Sequence, residues 1–189
     1  MELTESKTPT PYWVVSLTRA IIILVPGLFI TFTPRHTPEF GLVALGITAL
    51  VSAAALTWLS LTLERSHPGR GLHLFQAAVS GVVGLIAVVM SAGSIAVLLW
   101  AVVVWAVLIG GAETFAGTRL PKKDSLRRDW ITQGLLSVGL ALVVLTQTGD
   151  SVAVVGFLGA WAIVLGVYLG IAGISHKSVD KAMREGLTL

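Results

Sequence analysis

Four polar side chains interrupt stretches of sequence that are otherwise almost uniformly apolar: Arg19, Gln76, Glu113 and Gln133. Three of them share a register, since Arg19, Gln76 and Gln133 follow one another at intervals of 57 residues. Arg19 lies about seven residues, roughly 10 Å, beyond the start of the first apolar stretch, and Glu113 sits about four residues before the end of the fourth. If odd stretches cross a bilayer in one direction and even stretches in the other, all four residues arrive at similar depth. Charges at that depth are costly, face a protein interior and find partners. The expectation is therefore an intramembrane polar layer of Arg19, Gln76, Glu113 and Gln133. Its chemistry is open between three readings. It could be a structural Arg19–Glu113 contact, which leads, or a proton or solute path. In the blandest reading Arg19 snorkels to the headgroups while the glutamines tie helices together.

Enzymatic constellations are missing. His36, His67, His73 and His176 show no metal-ligand spacing, and His67 with His73 reads as a wet loop pair. Gly69-Arg70-Gly71 lacks the rest of any nucleotide fingerprint. Glu113 reads as the sole acidic residue within a span, with Glu39 and Asp150 in separate external loops, so no carboxylate pair is set up for acid and base work. With no cysteine, thiolate catalysis and disulfides are excluded. The expectation is a protein that is not an enzyme and needs no cofactor or metal.

The elements that must position the polar layer are membrane helices. Apolar residues make up 54% of the chain against 12% charged, and the mean hydropathy of +0.86 exceeds what a water-soluble fold needs. About 20 mostly apolar residues cross about 30 Å of hydrocarbon. Six segments qualify: Tyr12 to Phe32, Phe40 to Leu63, Leu72 to Met90, Ser94 to Gly117, Trp130 to Thr146 and Ser151 to Ser175. The alternating pattern of a membrane barrel is absent. The fold class is all-α, a polytopic membrane protein in a single membrane domain. The first span is too long for a signal-peptide core, and Thr33-Pro34-Arg35-His36 offers no cleavage site.

The six spans form three repeated helical hairpins, approximately 12–65, 71–119 and 129–176, with short tails 1–11 and 176–189. Gly27, Gly84 and Ala141 continue the 57-residue register. In the second helices, Trp105-Ala-Val-Leu-Ile-Gly110 matches Trp161-Ala-Ile-Val-Leu-Gly166 at a spacing of 56. A fixed period of this kind sets the architecture, and it places the polar layer near a pseudo-threefold axis.

The basic residues set orientation. Lys7, Arg65, Arg70, Arg119, Lys122, Lys123, Arg127, Arg128, Lys177, Lys181 and Arg184 all fall on one side, against Arg35 alone on the other. By the positive-inside rule both termini are cytoplasmic. The pI near 9.6 is then a topology signal, and nucleic-acid binding is not expected. In the fourth loop, Arg119, Lys122, Lys123, Arg127 and Arg128 can attract anionic lipid headgroups, at about 1 kcal/mol per charge near the surface. Simple topological bias explains the same cluster, with lipid contact as its by-product.

Small residues at four-residue spacing, such as Gly166 with Gly170, Ala112 with Ala116 and Ala49 with Ala53, should be helix contacts, serving the fold or a homo-oligomer. Pro26 should bend the first helix. Tyr12, Trp13, Trp130 and Trp58 lie near span ends as interface anchors.

These features resemble the HdeD family of bacterial acid-resistance membrane proteins, which are built from short repeats of two hydrophobic helices. The resemblance rests on Trp13-Val-Val-Ser-Leu-Thr-Arg19-Ala with Pro26-Gly27 and Thr33-Pro34, and on Trp105-Ala-Val-Leu-Ile-Gly-Gly-Ala-Glu113. It continues in Gln133-Gly-Leu-Leu-Ser-Val-Gly and Trp161-Ala-Ile-Val-Leu-Gly-Val-Tyr168, and covers the chain from about Tyr12 to Ser175. It implies an inner-membrane protein linked to survival of acid stress; membrane lipids and a homo-oligomer or other membrane proteins are the partners expected from the basic loop and the packing faces. It transfers no catalytic residue.

Overall fold

The computed structural model describes residues 10–185, so Lys7 and most of the N-terminal tail lie outside the described residues. Six helices follow in order: α1 (Tyr12–Phe32), α2 (Pro38–Thr62), α3 (Gly69–Val89), α4 (Ile95–Arg119), α5 (Ser125–Leu145) and α6 (Ser151–Arg184). No strand occurs among the described residues, and all six helices are long and apolar enough to cross a membrane. The protein is an all-α, multi-pass membrane protein. Its outer surface carries the side chains that lipid tolerates, with Phe32 82%, Trp58 72% and Ile171 66% exposed.

Three helices extend by three residues or more beyond the apolar segments that hydropathy marks. α3 begins at Gly69 rather than Leu72, α5 at Ser125 rather than Trp130, and α6 runs on past Ser175 to Arg184. The reason is local. Asp124 caps α5 by accepting from the Leu126 N–H at 2.9 Å, so helix starts on polar residues that a hydropathy window leaves out. Two residues change place, Asp129 because α5 starts ahead of its apolar segment and His73 because it is packed within α3. His73 belongs to α3 and is wholly buried, not one of a wet loop pair, while Asp129 is a second acidic residue of the helical core. Pro26 lies inside a continuous α1.

The closest helix partners are not the two arms of a hairpin. Contacts are densest between α2 and α3, α4 and α5, and α6 and α1, whereas α1 with α2, α3 with α4, and α5 with α6 meet far less. Each repeat thus hands its second helix to the next repeat, and α6 closes a ring onto α1. The tight pairs are copies of one another. A Cβ on Gly173 would meet the Leu17 side chain at 2.7 Å, and one on Gly117 would meet that of Ile131 at 2.8 Å. Likewise Gly159 sits against Ile30 and Thr31, and Gly46 against Gly84 and Val88, where Thr31 and Val88 are 57 residues apart. Lipid provides no hydrophobic drive between helices, so close backbone approach at small residues supplies the association.

The core has two layers along the bundle. Toward the end bearing the Arg35 loop it is apolar, filled by Leu42, Leu45, Leu98, Val102, Val154 and Leu158, all at most 4% exposed. Trp105 and Trp161 cross edge to face at 5.2 Å beneath this layer. The opposite end, which carries the basic loops, holds the polar groups.

Candidate functional site: a buried polar network

Arg19, on α1, reaches across the ring and donates from Nη2 to Glu113 Oε1 of α4 at 2.6 Å. Its Nη1 donates to Gln133 Oε1 of α5 at 3.1 Å. From α3, Gln76 Nε2 donates to the same Glu113 oxygen at 2.8 Å. The structure brings all four residues of the polar layer together, and each is at most 7% exposed. A guanidinium with two buried acceptors is not snorkelling. The register explains the convergence: Arg19, Gln76 and Gln133 are the equivalent residues of the three first helices. Glu113 has no acidic counterpart, because Leu56 and Leu169 occupy the matching positions of α2 and α6, both buried. Three repeats therefore build one charged site rather than three.

The network continues one turn toward the basic end through residues that sequence reasoning missed. Gln76 Nε2 is committed to Glu113, so its Oε1 accepts from His73 Nδ1 at 2.9 Å. With the proton on Nδ1, His73 Nε2 faces the Tyr12 hydroxyl at 3.4 Å as an acceptor. Tyr12 Oη in turn accepts from Trp130 Nε1 at 2.7 Å. Every donor in this line points toward Glu113. Trp130, expected as an interface anchor, is 1% exposed and serves the network, while Trp58 does face outward. The missing signal was the same register. Ser16, His73 and Trp130 are 57 residues apart, one turn from Arg19, Gln76 and Gln133, and all three are buried.

A second polar cluster closes the basic end. Asp129 accepts from Tyr168 Oη at 2.9 Å and pairs with His176 Nε2 at 2.9 Å. Tyr12 links the clusters, stacking on His67 with ring centroids 4.9 Å apart and meeting His176 edge-on at 6.0 Å. His67 is half-buried within the largely exposed α2–α3 loop. Burial pushes its imidazole below the ordinary value, opposed by the nearby Glu64 and Asp124 carboxylates. No group of three or more metal-ligating side chains occurs among the described residues.

Of the basic loop residues, Arg119, Lys122, Lys123 and Arg128 are exposed. Arg127 is occupied: its Nη1 donates to the carbonyls of Thr118 and Leu120, each at 2.9 Å, and closes the end of α4.

Residues 77–146 match a family described as a short repeat of unknown function (DUF308). The matched stretch runs from α3 through α5 and contains Glu113 and Gln133, while Arg19 and Gln76 precede it. No curated protein and no solved structure matches the chain.

The outer end of the hydrogen-bonded line yields one test. Replacing Trp130 by Phe keeps most of the ring and removes the donor to Tyr12, which is expected to lower stability by about 1 kcal/mol. Thermal unfolding of the purified protein measures it, and an unchanged midpoint would show that this bond contributes nothing.

Proposed function

We propose that the protein is an inner-membrane stress-response component, with both termini cytoplasmic, in which a buried ionic clasp holds three helical hairpins in one rigid bundle. Its role is structural, stabilising the membrane or partner membrane proteins, and it is not an enzyme. The observation that carries this reading is the Arg19–Glu113 pair at 2.6 Å with Gln76 and Gln133 as further partners. Such a network ties α1, α3, α4 and α5 together at one level. The apolar layer beyond it speaks for a clasp and against the alternative of a small proton or solute channel, because a packed apolar layer is dewetted and closed to protons and solutes. The excess of basic residues at one end supports the orientation.

The link to acid resistance comes from likeness. DUF308 is the repeat found in HdeD-like membrane proteins, and the hairpin motifs around Arg19, Glu113 and Gln133 resemble that family. The test is survival of a strain lacking the gene after acid challenge, complemented with wild type or with Arg19→Gln/Glu113→Gln. Lost survival restored by wild type supports the assignment; survival equal to the parent removes it. Proton flux into vesicles holding the purified protein should match empty vesicles, and a rate increase abolished by Glu113→Gln would instead establish the channel.

Arg119, Lys122, Lys123 and Arg128 form the proposed contact with anionic lipid. Lys122→Ala and Lys123→Ala should each reduce retention of anionic lipid by up to about five-fold, the equivalent of about 1 kcal/mol per charge. Native mass spectrometry with mixed-lipid vesicles reads the change. Arg127→Ala should instead reduce thermal stability, because its guanidinium is bonded to the end of α4.

A further inference from the structure

Glu113 is bonded on one side only. Oε1 accepts from both Arg19 and Gln76, whereas Oε2, equally inaccessible, accepts from no group among the described residues. A buried carboxylate oxygen without a donor is costly. A proton is the one ligand that needs no room beside it. The surrounding groups also define where a proton could come from. Toward the Arg35 end the core is apolar, but toward the basic end Gln76, His73 and Tyr12 form a continuous line that ends against the half-buried His67 and His176.

We propose that Glu113 is a proton-binding site, reached from the basic end of the bundle on the side where Tyr12 and His73 lie, and that occupying it releases Arg19. The proton comes from solution and binds Oε2; the Gln76 amide keeps both its N–H protons, so Gln76 marks the polar side of the core from which the proton arrives and takes no part in the transfer itself. The carboxylate becomes a neutral acid, Oε1 continues to accept from Gln76, and Arg19 keeps only the neutral Gln133 as a strong partner. The charged and polar groups around Glu113 are Arg19 and Tyr12 from α1, Gln76 from α3, with His73 one bond beyond it, and Gln133 from α5 across Arg19; Leu56 of α2 and Leu169 of α6 stand at the equivalent positions. Asp129 and His176 lie farther out, paired with each other. A bundle clasped when Glu113 is charged and loosened when it is neutral would convert acidity on one face into a change of helix packing. This rests on the clasp reading above, but its test uses purified protein, so loss of the survival phenotype and loss of the proton site are separate results.

The experiment is infrared difference spectroscopy on the protein in lipid nanodiscs, acidified stepwise. A protonated-carboxyl band should appear in wild type and be absent from Glu113→Gln. If that variant does not fold, carbon-13 glutamate labelling of wild type assigns the band. Slow hydrogen–deuterium exchange then singles out Glu113 among the glutamates of the described residues, since Glu39, Glu64 and Glu185 are exposed. Absence of any slowly exchanging glutamate band over the pH range in which the protein stays folded overturns the site. For the route, His73→Phe should slow the band's rise after a pH jump on the basic side by ten-fold or more. An unchanged rate, or an equally fast rise when only the Arg35 side is acidified, overturns the route.

Discussion

Replacing Arg19 by Met is expected to destabilise the bundle by about 3–5 kcal/mol, the range for removing one partner of a buried ion pair. The loss comes less from the bond itself than from what is left behind. Glu113 is wholly buried, and without the guanidinium it must stay charged next to Gln76 alone or take up a proton to fold. The double variant Arg19→Met/Glu113→Leu removes both charges, and Leu already stands at the two equivalent positions, Leu56 and Leu169. It should therefore recover most of the loss and fall within about 1–2 kcal/mol of wild type, as apolar replacements of buried pairs commonly do. Reversible unfolding in mixed micelles measures all three proteins. If the single and double variants lose the same amount, the pair is not coupled and the clasp reading fails. An Arg19 that merely reached for headgroups would give a small loss in both.

What could be read in advance followed from contrast. A charged or amide side chain is conspicuous in an apolar stretch, so the level of Arg19, Gln76, Gln133 and Glu113 could be set from spacing and helix rise. Their hydrogen bonds put them together at 2.6 to 3.1 Å. His73 and Asp129 were misplaced for the converse reason. Asp129 lies where helix continues past the apolar window, since hydropathy reports the membrane-like part of a helix rather than its ends, and His73, the second residue of its segment, groups with the preceding loop by its residue type. The register could have rescued His73, because it falls midway between Ser16 and Trp130. Helix partnership was less legible still. Small residues announce that a face packs closely, yet spacing does not name the opposite face. The pairing of α2 with α3, α4 with α5 and α6 with α1 is a property of the closed ring.

That ring makes Gly134 the most sensitive small residue next to the network. A Cβ there would stand 2.5 Å from the Gly110 carbonyl oxygen and 2.7 Å from the Thr114 nitrogen, as well as against the Thr114 hydroxyl. Two of these are backbone atoms that cannot rotate away, and a Cβ on Gly110 would meet the Gly134 carbonyl at 2.6 Å, so the crowding is mutual. Gly134→Ala must separate α4 from α5. The intrinsic preference of Ala over Gly in a helix, about 1 kcal/mol, works in the other direction. Overpacking of about 1–3 kcal/mol, and more where backbone meets backbone, outweighs it. A net loss of about 2 kcal/mol or more is expected. Gly139→Ala in the same helix is the control: nothing lies within 4 Å of its added Cβ, so the substitution should be neutral or stabilising by up to about 1 kcal/mol. Because Gln133 and Glu113 adjoin Gly134 and Thr114, forcing these helices apart should also weaken the Arg19 clasp. Combining Gly134→Ala with Arg19→Met should then cost less than the sum of the two, whereas strict additivity would show that helix spacing and the buried charges are independent.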